Sequence, residues 1–218
     1  EALARANYHV VMLCRDVRDA AEHAMGLSRS GLSVEPRKVD VASSVAVNSV
    51  SKHIRDEYGR VDLLINNAGI FVDREQDTGE NSANPLHVSV TAVMQTFNIN
   101  AMGAMRLIQA LAPMMPSGGR IVNVSSSLGL FGELEGDFLG YRMSKTALNS
   151  MTLIFAKALA EQGIIVNAAS PGWVRTDMGG AEAPRGINEG IDTILWLATS
   201  AEATESGGFY RDRKKMAW

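Results

Sequence analysis

Val61-Asp62-Leu63-Leu64-Ile65-Asn66-Asn67-Ala68-Gly69 decides the fold. Its apolar residues run almost continuously and end in polar ones, the pattern of a strand buried on both faces. The same pattern recurs at Tyr8 to Leu13, Ser33 to Val39, Arg120 to Ser125 and Ile164 to Ala169, with a last short strand at Gly207 to Tyr210. Helical patterns alternate with these runs: Val17 to Ser28, an amphipathic Ser44 to Tyr58, a long Ser89 to Met114, Leu139 to Glu161, and a helix within Ala183 to Thr199. Asp73 to Pro85 reads as a polar loop, and Pro116 to Gly119 as a turn. Buried strands alternating with helices predict an α/β protein: a doubly wound parallel sheet with helices on both faces. No linker divides residues 1–218, so a single domain is expected.

In such sheets ligands bind beyond the carboxyl ends of the strands. Arg15, Asp40, Asn66 to Gly69, Ser125-Ser126 and Ser170-Pro171-Gly172 all stand at those ends. The chemically suggestive residues therefore converge on one edge.

Bulk properties narrow the function. The 218 residues are 46% hydrophobic, enough for one sizeable core. A net charge of −3 gives no nucleic-acid surface. The basic run Arg211 to Lys215 reads as a solvated tail. Cys14 is the only cysteine, which excludes an intrachain disulfide, and it reads as a buried small side chain. The four histidines are scattered without metal-ligand spacing, so no metal is expected. No apolar run approaches the ~20 residues of a membrane span and no signal peptide is visible, so the expected location is cytoplasmic.

Tyr141-Arg142-Met143-Ser144-Lys145 carries the chemistry. Residues four apart on a helix share a face, with Cβ atoms about 5–6 Å apart. A lysine ammonium at that distance favours the phenolate, and each unit of downward shift from the ordinary value near ~10 takes about 1.4 kcal/mol. The spacing alone also suits a half-buried aromatic beside a solvated lysine. Its company changes the reading: Asn66-Asn67-Ala68-Gly69, then Asn100, then Ser126, in that order.

Together these motifs resemble the short-chain dehydrogenase/reductase family along essentially the whole chain. Ile121 to Ser126 followed by Gly129 resembles the strand that presents the family's serine. Val166 to Met178 resembles the segment that closes over a nicotinamide. The ending, from Thr193 to Trp218, looks most like the carbonyl-reductase branch. The resemblance implies a Rossmann-type fold, NADP(H) as cofactor, and a small carbonyl or alcohol as substrate. It implies Tyr141 as general acid or base, with Lys145 lowering its pKa and binding the nicotinamide ribose. Ser126 would hold the substrate oxygen. Ser125 competes for that role, but Ser126 lies three residues before Gly129. Asn100 would position a proton-relay water; Asn98 competes, and the distance to Gly103 favours Asn100.

The implied cofactor contacts are Arg15, Asp40, Val41, Asn66, Asn67, Ala68, Gly69, Pro171, Gly172, Val174 and Thr176, besides Tyr141 and Lys145. Arg15 suits the 2′-phosphate of NADP; Asp16 on a ribose hydroxyl would instead suit NAD. Asp40 accepting from the adenine amine competes with an N-cap role for the next helix. Trp173, Met178 and Phe131 suggest an apolar substrate site. The helices Ser89–Met114 and Leu139–Glu161 are candidates for a homodimer or homotetramer face. An NAD-linked alcohol dehydrogenase and a non-catalytic dinucleotide-binding protein are the rival readings.

The chain departs from the family's pattern at its N-terminus, and its interval from Ser126 to Tyr141 is short beside carbonyl reductases with a long insertion before the tyrosine. The glycine-rich phosphate loop and the first strand have no counterpart in these 218 residues. In the order 3-2-1-4-5-6 that strand is central, so a gap near ~10 Å is expected between its two neighbours. Roughly twenty further N-terminal residues are expected in the biological protein, from the size of a βα unit.

Overall fold

The computed structural model describes residues 1–73 and 83–218. Most of the expected loop Asp73 to Pro85 lies outside the described residues. Seven strands are present among the described residues: β1 Val10–Cys14, β2 Val34–Lys38, β3 Leu63–Asn66, β4 Arg120–Val124, β5 Ile165–Ala169, β6 Phe209–Arg211 and β7 Lys214–Met216. The α-helices are α1 Ala2–Arg5, α2 Val17–Arg29, α3 Ser44–Glu57, α4 Val90–Asn100, α5 Met102–Leu111, α6 Leu139–Ala158 and α7 Ile187–Thr199.

The strands form two sheets. β1 pairs with β2, and β3-β4-β5-β6-β7 make the second; every pairing is parallel except the β6–β7 hairpin. β1 and β3 share no hydrogen-bonded ladder. A cavity of about 1100 Å³ lies between them, lined by Val11 and Leu13 on one side and Leu63 and Ile65 on the other. This is the break expected where the central strand has no counterpart.

Both faces of the larger sheet are covered, as its apolar strands require. Leu64, Ile121 and Val166 pack against Val47 and Ile54 of α3 and Leu107 and Ile108 of α5. Val122, Ala169 and Tyr210 pack on the other face against Ile194 and Leu197 of α7, with Leu3 of α1 joining them. Strand pleating explains the split, because adjacent residues such as Ile121 and Val122 point to opposite faces.

Local chemistry sets the helix ends. Asp16, Ser43 and Ser89 cap α2, α3 and α4 through their side-chain oxygens. The expected helix Ser89 to Met114 is interrupted at Ala101 (φ −106°, ψ −59°), directly after Asn100. The expected solvated tail is instead a hairpin. Asp212 and Arg213 both take positive φ (52° and 57°), as a two-residue hairpin turn requires. Ion pairs hold it: Asp212 with Arg185, Arg213 with Asp192 and Lys215 with Glu205. Cys14 is half-buried rather than buried. Among the described residues, no helix is long and apolar enough to cross a membrane, and no group of side chains is arranged to hold a metal.

Candidate active site

A cleft of about 880 Å³ opens where β3, β4 and β5 end. Tyr141 enters it from the first turn of α6, 8% exposed. Lys145 follows one turn later, with Nζ 5.5 Å from the Tyr141 ring centre. The lysine is buried and donates to the Val124 carbonyl at 2.9 Å. Burial pushes its pKa down from 10.5 to about 8. Such a lysine is still mostly charged at neutral pH, and its charge sits beside the phenol with little water to screen it.

Gly129 is what lets α6 come this close. A Cβ there would lie 2.6 Å from the Lys145 carbonyl carbon and 2.7 Å from its Cβ. Gly69 brings the loop after β3 to the same point: its missing Cβ would sit 3.7 Å from Lys145 Nζ and 3.4 Å from Asn100 Oδ1.

The two candidate serines differ in their surroundings. Ser125 is buried, and its hydroxyl donates to Asn149 Oδ1 at 2.5 Å. Ser126 is half-buried at the cleft wall and accepts from Leu128 N–H at 3.2 Å. Asn100 is buried with its side chain fully engaged. Its Oδ1 accepts from Ile70 N–H at 2.8 Å, and its Nδ2 donates to the Ile70 carbonyl at 2.9 Å and to Ser144 Oγ at 3.0 Å. Asn98, the competitor, accepts from Arg106 instead.

The expected cofactor contacts divide into groups. Asn67, Ala68, Gly69, Pro171, Gly172, Val174 and Thr176 all line the cleft. Gly172 needs its positive φ of 74° to turn there. Asn66 does not present its side chain to the cleft. It is buried and donates to Asn123 Oδ1 at 2.8 Å, and Asn123 in turn donates to Thr152 of α6, so the pair ties β3 and β4 to that helix. Val41 is also buried and faces the cavity between β1 and β3. Asp40 is exposed and accepts from Ala42 N–H at 2.9 Å; Ser43, not Asp40, caps α3. Arg15 is exposed just beyond β1. Asp16 is occupied as the α2 cap, accepting from Arg18 N–H at 3.0 Å.

Trp173 and Met178 line the cleft, as expected. Phe131 does not: it is 76% exposed on a short 3-10 turn outside it. The other aromatic residues of the cleft, Phe71 and Phe138, were not among the expected ones. Phe71 stacks on the Tyr141 ring (centroids 4.0 Å apart, planes at 15°), and Phe138 meets Phe71 edge-on at 5.0 Å. Phe71 stands two residues after Gly69, so its place beside that motif was the available signal.

A buried Lys–Tyr pair and a serine thus line one cleft at the mouth of a parallel α/β sheet, the place where such folds bind their ligands. The chain matches the short chain dehydrogenase model over residues 1–185 and belongs to that family. It is similar to carbonyl reductase [NADPH] 1 of Sus scrofa, 29% identical over 96% of this chain and 85% of the relative. The Mus musculus protein of that name is 28% identical over 96% and 88%. Among solved structures it resembles the NADPH-bound carbonyl reductase from chicken fatty liver (TM-score 0.83, 25% identity, 95% of this chain and 87% of that one). Carbonyl reductase Sniffer of D. melanogaster is similarly close (TM-score 0.83, 27% identity, 96% and 88%).

Proposed function

We propose that this chain is an NADP(H)-dependent oxidoreductase that interconverts a ketone or aldehyde with its alcohol, using Tyr141 as general acid and base. The observation that carries this reading is the desolvated Lys145 beside Tyr141 in the cleft that Ser126 also lines. The cofactor, when bound, supplies or accepts the hydride. In the reducing direction Tyr141 gives its proton to the carbonyl oxygen as negative charge develops there. Ser126 hydrogen-bonds the same oxygen and fixes its position. Lys145 favours the phenolate that Tyr141 leaves behind. In the oxidising direction the same phenolate removes the alcohol proton.

The residues fit a nicotinamide ribose. Among the described residues Lys145 has one hydrogen-bond acceptor, Val124 O, and it carries three donors, so ribose hydroxyls suit the remainder. NADP is favoured over NAD by Arg15, exposed at the end of β1, and by the engagement of Asp16 in capping α2. The names of the similar carbonyl reductases agree. Phe71, Phe138, Trp173, Met178 and Ile187 make the substrate end of the cleft apolar and largely aromatic, which suits a carbonyl on a hydrophobic framework.

A panel of aromatic and aliphatic ketones and aldehydes, assayed with NADPH and NADH at equal concentration, tests this. The expected result is alcohol formed in step with NADPH consumed, faster than with NADH. NADPH binding with no turnover across the panel would favour a non-catalytic binder, and NADH preference would reverse the Arg15 assignment.

A further inference from the structure

Helix α6 has no cap of its own. Phe138 takes the N-cap position in the left-handed region (φ 49°, ψ 47°), and its side chain makes no cap hydrogen bond. The first amides of a helix have no partner within it. Here a residue from a different loop takes two of them. Asp73 Oδ2 accepts from Gly140 N–H at 2.7 Å and from Tyr141 N–H at 3.1 Å. Asp73 is 1% exposed, and its other oxygen has no hydrogen-bond partner among the described residues.

As a device for helix stability this is poor. Ser43 and Ser89 cap their own helices elsewhere in this fold with a neutral hydroxyl. A buried acidic side chain with one oxygen left without a partner among the described residues is a costly way to cap a helix. The placement of the segment suggests another role. Asn100 anchors Ile70 through both its amide and its carbonyl. From that anchor the chain runs to Phe71, which lies flat on the Tyr141 ring, and then to Asp73, which holds the Tyr141 amide. The segment therefore grips the same tyrosine at its ring and at its backbone.

We propose that Asp73 is a positioning residue for Tyr141, forming with Phe71 a clasp that aims the phenol at the carbonyl oxygen held by Ser126. This rests on the reading of Tyr141 as the proton donor. The clasp also gives Asn100 a task that needs no water: it fixes the root of the segment on which Phe71 and Asp73 stand.

Asp73→Ala and Asp73→Asn, compared with Tyr141→Phe, test the proposal. Hydrogen–deuterium exchange is the first readout: D73A should expose the Gly140 and Tyr141 amides while later turns of α6 stay protected. Turnover per folded molecule is the second. D73A should lower kcat on the order of 10- to 100-fold, the scale of a misplaced reacting group, with KM for NADPH unchanged. D73N keeps an acceptor oxygen and should recover most of that loss. A D73A protein with exposed amides and kcat within twofold of wild type would overturn the proposal, leaving only a structural cap. So would a folded D73N as inactive as Y141F, whether or not D73A folds. Turnover retained in Y141F is a separate outcome, and it would remove the proton-donor reading itself.

Discussion

Replacing Lys145 by methionine should change how stability depends on pH, and the structure sets the size of the effect. Burial holds the ammonium at about 8, against an ordinary 10.5. The folded state therefore disfavours the charged lysine, while the unfolded chain does not. With the neutral form as reference, stability is full above 10.5 and is lost as pH falls through the folded value near 8. Below that both states are protonated and the penalty is constant. Two and a half units correspond to about 3 kcal/mol at most. Urea unfolding of wild type and Lys145→Met between pH 7 and 10.5 reads it directly. Their stability difference should move in favour of wild type by up to about 3 kcal/mol as pH rises, chiefly between 8 and 10.5. Titratable groups remote from Lys145 cancel in the difference. Parallel curves would refute the claim that Lys145 is a desolvated cation.

Glu35 should show the opposite dependence. Burial pushes its carboxyl up, but hydrogen bonds from Tyr58, Arg37 and His53 outweigh this and hold it at about 2, below the usual 4.5. Its contribution is full above 4.5 and lost as pH falls toward 2, so Glu35→Gln should flatten acid unfolding in that window when followed by circular dichroism; an unchanged acid limb would count against the network. Gly129→Ala should overpack the contact between α6 and the serine loop, since the new methyl would lie 2.6 Å from the Lys145 carbonyl carbon. Overpacking costs about 1–3 kcal/mol, and at about 2–4 °C per kcal/mol for a chain of this size calorimetry should find Tm lowered by several degrees; an unchanged Tm would show that the helix shifts freely.

The layers of the fold were legible because buried parallel strands read as unbroken apolar runs, such as Ile121-Val122 and Val166. The gap between β1 and β3 was legible for a topological reason, since a central strand cannot be lost without separating its neighbours. The hairpin β6–β7 was not, because its turn residues, Asp212-Arg213, lack the glycine that usually announces positive φ. The cluster of His9, His53, Tyr58 and Glu35 was hidden for a different reason. Those residues lie far apart in sequence, and only the pairing of β1 with β2 and the packing of α3 bring them together. In the cleft, Tyr141 and Lys145 stood out through their order with Asn66 to Gly69, Asn100 and Ser126, and Ser126 through the family resemblance at its distance from Gly129. Which polar side chains turn inward was not visible, because Asn66 and Asn67 are identical neighbours: Asn66 ends β3 and is tied to Asn123, whereas Asn67, just past the strand, lines the cleft. Phe131 looked as apolar as Phe71, and only the path of the loops separates the exposed ring from the one on Tyr141.

Proton donation by Tyr141 is tested most directly by single-turnover reduction of an aromatic ketone by wild type and Tyr141→Phe, with NADPH binding measured on the same samples. Loss of the hydroxyl should lower the rate of alcohol formation by about 10²- to 10⁴-fold while NADPH affinity stays within a few-fold. A Tyr141→Phe protein that binds NADPH and reduces the ketone at close to the wild-type rate would contradict it.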